Sequence, residues 1–265
     1  MSKKPSGHFL QNFLEVNHSL TLEQRIKYWS ESVLECERRG LGQIAVGPRK
    51  LREDFNQEAC QYFIEENGHL FNFICEHLES LLKTLKAEKQ YSGDISPVEI
   101  LDLGCGTGDL LLRLHYFSQN YKCEWKGMDF CESMRKYALS RLETVGVTDQ
   151  SKIVCKPAHE LLTQFGKNSQ TVITAIRFLI HLTEDSEYDE LAKQCYETLT
   201  PNGYLVVVEP LREMNPGRMQ NTGTRYRTRI EHAEAHEHLR ELPTLESSMG
   251  VFGEIQSIQI FQKVA

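Results

Sequence analysis

Residues 98–114, VEILDLGCGTGDLLLRL, constrain the fold more than any other stretch of the chain. Val98, Ile100, Leu101 and Leu103 form a short apolar run of the kind that makes a buried strand. Gly104, Gly106 and Gly108 then turn the chain, and Leu110, Leu111, Leu112 and Leu114 open a helical pattern at once. Glycines let backbone approach a ligand closely, and N–H groups at a helix start lack partners within the helix. The stretch therefore predicts a small-molecule site at the carboxyl end of a strand.

The spacing narrows the ligand. A dinucleotide fingerprint is G-x-G-x-x-G, and its third glycine would fall at Asp109, where a carboxylate would repel pyrophosphate. No G-x-x-x-x-G-K-[ST] occurs, which excludes a P-loop. Asp102, second-last in the strand, puts an acid beside the glycines. It suits a ligand with an ammonium group better than one with phosphates.

Three ordered landmarks then resemble one family. The glycine turn resembles motif I of the class I S-adenosylmethionine-dependent methyltransferases. A second strand candidate ends in Asp129, 21 positions after Gly108, and residues 129–138, DFCESMRKYA, resemble the family's D-x-x-x-x-M-x-x-x-A helix opening. Residues 199–209, LTPNGYLVVVE, are similar to its L-x-P-G-G-x-L stretch, with Asn202 in place of the first glycine. The resemblance covers residues 98–210. It implies S-adenosylmethionine as cofactor, S-adenosylhomocysteine as product, and a Rossmann-like, mostly parallel sheet of the seven-stranded type.

The resemblance also implies roles. Gly104, Cys105 and Gly106 would pack along the methionine part and ribose. Asp102 would orient the amino group, Asp129 would accept from the ribose hydroxyls, and Phe130 would lie on the adenine. Asp129 could equally cap the helix that follows. After the third strand the family carries an acid near the adenine amino group. Here the residues are Pro157, Ala158, His159 and Glu160, so Ala158 or His159 would have to serve there. The N-P-P-Y motif used on flat bases and glutamine is absent after the fourth strand, which disfavours those acceptors.

Strand and helix alternate from Val98 onward. Strands are expected at 98–103, 125–129, 152–156, 170–175 and 203–209, with helices at about 108–118, 131–144, 158–165 and 184–199 between them. This order predicts a doubly wound parallel sheet whose ligands bind at the carboxyl ends of the strands. Residues 1–96 read as a helical cap and 97–265 as the methyltransferase domain. In the cap, Thr21 and Gln24 make a capping signal before Leu22, Ile26, Trp29 and Val33, and Gly40, Gly42 and Pro48 end that helix. A longer pattern through Leu51, Phe55, Tyr62, Phe63, Leu70, Phe71, Phe73 and Leu78 is expected to break at Gly68. Its aromatics, with Tyr28 and Trp29, either line an apolar acceptor pocket or form ordinary core. Beyond the fifth strand, 211–226 reads as a polar loop and 227–240 as a charged helix. One clear strand follows before Ala265, so the expectation is that either the family's final hairpin is abbreviated or the chain is truncated.

Methyl transfer asks the protein mainly to align an acceptor and exclude water, with a base needed only where the acceptor holds its proton. Three candidates stand beyond the fourth strand. Arg177 could bind an acidic acceptor, help hold the cofactor, or pair with Glu209. His181 could be a general base or a structural histidine, and Tyr226 falls in the expected lid loop. Arg212, Arg218, Arg225, Arg227 and Arg229 could gather an anion or form a solvated face. His232 and His236 stand four apart, a spacing open to zinc, but no cysteine lies near and a charged helix face is the simpler reading.

Composition excludes more than it identifies. The net charge of −7 argues against wholesale binding of nucleic acid. No run of 18 apolar residues predicts a membrane span. The basic start MSKKP lacks an apolar core and is not a secretory signal. Eight cysteines lie singly, without C-x-x-C, and read as reduced thiols of a cytoplasmic protein. The reading is a methyltransferase acting on oxygen or nitrogen, with carbon left open, of a small and perhaps acidic molecule. Its rivals are methylation of a protein or RNA, a cofactor-binding protein without turnover, and a nicotinamide oxidoreductase.

Overall fold

The computed structural model describes residues 57–130, 132–182, 184–215, 225–242, 245–247 and 255–264. One long helix, α1 (Gln57–Ser92), leads into the sheet. It runs through Gly68 without the expected break. A glycine inside a helix costs only about 1 kcal/mol, which a long helix absorbs. The helices expected before residue 57, Phe55, and the aromatic side chains at 62, 63, 71 and 73 lie outside the described residues.

The sheet alternates as the sequence predicts: β1 (Val98–Leu103), α2 (Asp109–Tyr121), β2 (Cys123–Asp129), α3 (Glu132–Glu143), β3 (Ile153–Cys155), α4 (Leu161–Phe165), β4 (Gln170–Ile176), α5 (Asp185–Thr198) and β5 (Leu199–Pro210). Short 3-10 turns at Ala158–Glu160 and Leu179–His181 follow β3 and β4. After β5 come α6 (Arg229–Ala235), β6 (Arg240–Glu241), β7 (Leu245–Ser247) and β8 (Gln256–Gln262). The strand order is β3-β2-β1-β4-β5-β8-β6, with β7 also paired to β8. Strands β1 to β5 are parallel, and β8 returns antiparallel along β5. The direction of the order reverses at β1, and a doubly wound sheet opens a crevice at such a switch point.

The sheet's last strands are described only in part. β8 is full length, but its partners β6 and β7 hold two and three residues. The helix expected over 227–240 shrinks to seven residues, started by a capping box of Thr228 and Glu231.

Two apolar layers hold the sheet. On one face Ile74, Leu78, Leu82 and Leu85 of α1 share a core with Leu110, Leu111 and Leu114 of α2 and with Val98 and Ile100. That spacing puts the α1 residues on one helical stripe. Tyr121 donates to Glu79 across the same contact, at 2.5 Å. On the other face Leu101, Leu103, Ile173 and Val207 meet Leu161, Tyr188, Leu191 and Cys195. Among the described residues, no helix is long and apolar enough to cross a membrane, and Cys75, Cys105, Cys123, Cys155 and Cys195 are free thiols.

Candidate cofactor and acceptor site

The glycine turn closes on its own neighbours. Gly104 and Cys105 both donate their N–H to Met128 O, at 2.8 and 3.1 Å. Gly106 donates to Asp129 Oδ2 at 2.9 Å, and Gly108 to Cys105 O at 2.9 Å. The sequence suggested free donors here. Instead, four of the turn's N–H groups are already engaged, which leaves little of a phosphate cradle.

Two of the glycines do different work. Gly104 has φ +73, and a Cβ there would stand 2.5 Å from the Phe178 ring. It is needed for close packing against the segment after β4. Gly106 has φ +49, but a Cβ there would meet nothing within 4 Å. Gly106 thus borders open space and bonds the Asp129 carboxylate through its N–H, on the turn that follows the strand carrying Asp102.

The acids decide what that space suits. Asp102 is buried at the end of β1, and Thr174 Oγ1 donates to its Oδ1 at 2.8 Å. Burial, reinforced by the charges of Asp129 and Asp109, pushes its carboxyl up to about 7, against the opposing Thr174 bond. An arriving ammonium would restore the charged form. Asp129 is half-buried at the end of β2, and its Oδ2 accepts from the Gly106 N–H. Asp109 corrects the sequence reading. It does not stand against a ligand but pairs with Arg141 at 3.2 Å and accepts from Thr107 at 2.7 Å. What disfavours pyrophosphate is therefore the engaged amides together with Asp102 and Asp129.

The remaining cofactor candidates lie on the same edge. Phe130 follows Asp129, is half-buried, and accepts at its carbonyl from Cys155 Sγ at 3.5 Å. Ala158 is half-buried and packs toward the second core. His159 is exposed, and its carbonyl accepts from Gln194 Nε2 at 2.9 Å.

The acceptor-side candidates gather beyond β4. Arg177 leaves the strand at φ +51, a left-handed conformation that costs a non-glycine residue roughly 1–2 kcal/mol. Its N–H donates to Val208 O at 2.8 Å. Its charge is the largest influence opposing the burial that raises Glu209 to about 8. Glu209 is buried, accepts from Leu179 N–H at 2.6 Å, and leaves Oε2 without a hydrogen bond. His181 is half-buried at the end of the turn Leu179–His181, and its N–H donates to Phe178 O at 3.0 Å. Tyr226 is half-buried and stands between two arginines that hold this same turn. Arg225 N–H donates to Ile180 O at 2.7 Å, and Arg227 reaches Leu179 O at 3.3 Å and Leu182 O at 2.8 Å.

The arginine-rich tail is not a free anion trap. Arg225 pairs with Asp185, Arg212 with Glu231 and Arg229 with Glu241, while Arg227 is buried over the Tyr188 ring at 3.9 Å. Arg218 lies outside the described residues. His232 and His236 are also not on a charged face. Both are buried and share the Tyr188 hydroxyl, at 2.5 and 3.2 Å. Burial drives both imidazoles down to about 3, so they are neutral. Among the described residues no group of histidines, cysteines and acids could hold a metal ion. Sequence reading gave no role to Thr174, Phe178 or Tyr188, and named Arg227 only among five tail arginines; all four act through contacts with distant segments.

Comparison with known proteins agrees with this geometry. Residues 100–203 match the family model described as a methyltransferase domain. A demethylmenaquinone methyltransferase of Leptospira interrogans is 29% identical over 173 residues, covering 63% of this chain and 62% of that protein. One of Lactococcus lactis is 28% identical, covering 62% and 60%. This chain thus matches only about three-fifths of the length of these relatives. Among solved structures, a SAM-dependent methyltransferase of Methanosarcina mazei superposes with a TM-score of 0.54 at 18% identity, covering 64% of this chain and 93% of that one. A geranyl diphosphate methyltransferase in complex with SAM gives 0.55 at 15%, covering 79% and 92%. Such low identities speak for the fold alone. Sheet order, domain match and relatives agree that this chain is similar to methyltransferases, over the stretch that carries the glycine turn and the strands around it.

Proposed function

We propose that this protein methylates oxygen or nitrogen, with carbon the open alternative, on a small molecule held between the post-β4 turn and the cofactor. The observation that carries the reading is Gly106, open to space and bonded to Asp129, on the turn that follows Asp102. Those acids suit a cationic ligand with hydroxyls. When bound, S-adenosylmethionine supplies a methyl group activated for in-line displacement. Asp102 would hold its ammonium, and Asp129 its ribose hydroxyls. Gly104, Cys105 and Gly106 would line the methionine side, and Phe130, Ala158 and His159 the adenine side.

The acceptor side supplies alignment. Arg177 would orient an anionic or polarised acceptor, and His181 or Tyr226 would take a proton where the acceptor carries one. Of the residues up to 96, Ile74, Leu78, Leu82 and Leu85 on α1 belong to the sheet's own core rather than to a lid. The names of the two relatives favour a small aromatic acceptor. The test is transfer of labelled methyl from S-adenosylmethionine to a panel of reduced naphthoquinones, phenols, amines and carboxylic acids. Label entering one small-molecule class supports the reading. Label entering only protein or RNA would replace it with macromolecular methylation. Tight S-adenosylhomocysteine binding with no transfer would make this a binding protein.

A further inference from the structure

We infer that Arg227 is a positioning residue that joins the two segments carrying Arg177, His181 and Tyr226 into one acceptor-side wall. The inference rests on the proposed reading only in naming that wall as the acceptor side.

Residues 177–182 form the turn after β4, and its shape is not self-sufficient. Arg177 starts it in a left-handed conformation at φ +51. From below, Glu209 accepts the Leu179 N–H at 2.6 Å. From the other side, the Arg227 guanidinium donates to the carbonyls of Leu179 and Leu182, at 3.3 and 2.8 Å. Those partners lie 48 and 45 positions away in sequence. Arg225 N–H adds a bond to Ile180 O at 2.7 Å. A forked, planar cation can hold two carbonyls at once, and a lysine cannot reproduce that geometry.

Arg227 is itself fixed. It is buried, stacks on the Tyr188 ring at 3.9 Å, and lies 3.6 Å from Asp185 Oδ1. Its carbonyl accepts from Arg212 N–H at 3.0 Å, which ties it to the chain leaving β5. A buried arginine placed only for stability could be satisfied anywhere in the core. This one directs its guanidinium at the carbonyls of the segment holding two of the three acceptor-side candidates and is adjacent to the third. Phe178, on the same turn, rests against Gly104. The wall therefore abuts the cofactor turn without sharing its hydrogen bonds.

The test compares hydrogen exchange and S-adenosylhomocysteine binding in the full chain and in Arg227→Met and Arg227→Lys. In Arg227→Met, exchange in peptides covering 177–182 should quicken at least about tenfold, while peptides covering 98–108 stay unchanged. Arg227→Lys should show a smaller acceleration at the same place, a partial rescue. S-adenosylhomocysteine affinity should stay within about threefold in both, a split that general loss of stability would not give. Unchanged exchange at 177–182, or equal acceleration at 98–108, overturns the inference. Should Arg227→Met not fold, Arg227→Lys decides by the same two peptides. Failure of the wild-type chain to bind S-adenosylhomocysteine would sink the functional reading and leave the exchange result to judge the clamp.

Discussion

The two walls of the site are built by opposite means. On the glycine-turn side, backbone N–H donors set the shape: Gly104, Cys105, Gly106 and Gly108 all bond within residues 104–129, Gly106 to the Asp129 carboxylate. On the acceptor side, distant side chains do the work. Glu209 and Arg227 hold a turn 30 to 48 positions away, and Tyr188 joins His232 and His236 beneath it. The first wall takes its hydrogen bonds from the adjoining strand, though Thr174 also holds Asp102 from β4. The second exists only when the whole domain is folded.

The comparison is broken most directly by removing Asp129. Asp129→Ala should weaken S-adenosylhomocysteine binding by about 3 kcal/mol, roughly 100-fold, if two charge-assisted bonds to ribose are lost. Calorimetry measures this, and circular dichroism should show an unchanged fold. A folded variant with wild-type affinity would remove Asp129 from the site.

A pair of alanines sharpens it next. Gly104→Ala combines a positive φ with a Cβ 2.5 Å from the Phe178 ring, and should destabilise by about 2–3 kcal/mol in denaturant titration. Gly106→Ala has the backbone cost of about 1 kcal/mol without the clash, so its larger effect should fall on cofactor binding. Equal losses of stability in the two variants would contradict the difference between them.

Acid should attack the second wall first. His232 and His236 ordinarily titrate near 6.5 but are held down to about 3 in the fold. The unfolded chain therefore takes up protons that the folded chain does not, and stability falls as pH drops below about 6.5. The loss should be about 1 kcal/mol for each histidine between neutrality and about pH 5.5. Melting curves of the wild type and His232→Gln read it. A variant that melts with the same acid dependence as the wild type would count against it.

The smallest effect is on the first wall. Asp102 is held up to about 7, and an ammonium ligand needs it ionised. Affinity for S-adenosylhomocysteine should therefore rise with pH through about 7 and weaken below it, by about 1 kcal/mol over the first pH unit. Asp102→Asn should bind more weakly and lose this dependence. Parallel profiles in wild type and variant would show that Asp102 does not meet the ammonium.

What the sequence made legible follows the same division. β1, the glycine turn and the strand-end positions of Asp102 and Asp129 could be read because their pattern is local. Sheet alternation was legible for the same reason, strand by strand. Asp109 was misjudged because its partner Arg141 is on another helix. Gly68 was misjudged because one glycine does not outweigh the rest of a long helix. His232, His236 and Arg227 looked like solvent-facing charge, since nothing near them in sequence announces Tyr188 or the carbonyls of Leu179 and Leu182. Long-range satisfaction of buried polar groups leaves no periodic trace.

The most direct test of the central claim is calorimetric titration of the full chain with S-adenosylhomocysteine and, separately, NADH. The two carboxylates and the engaged glycine amides predict micromolar binding of the first and none of the second. Binding of NADH without S-adenosylhomocysteine would contradict the account at its foundation.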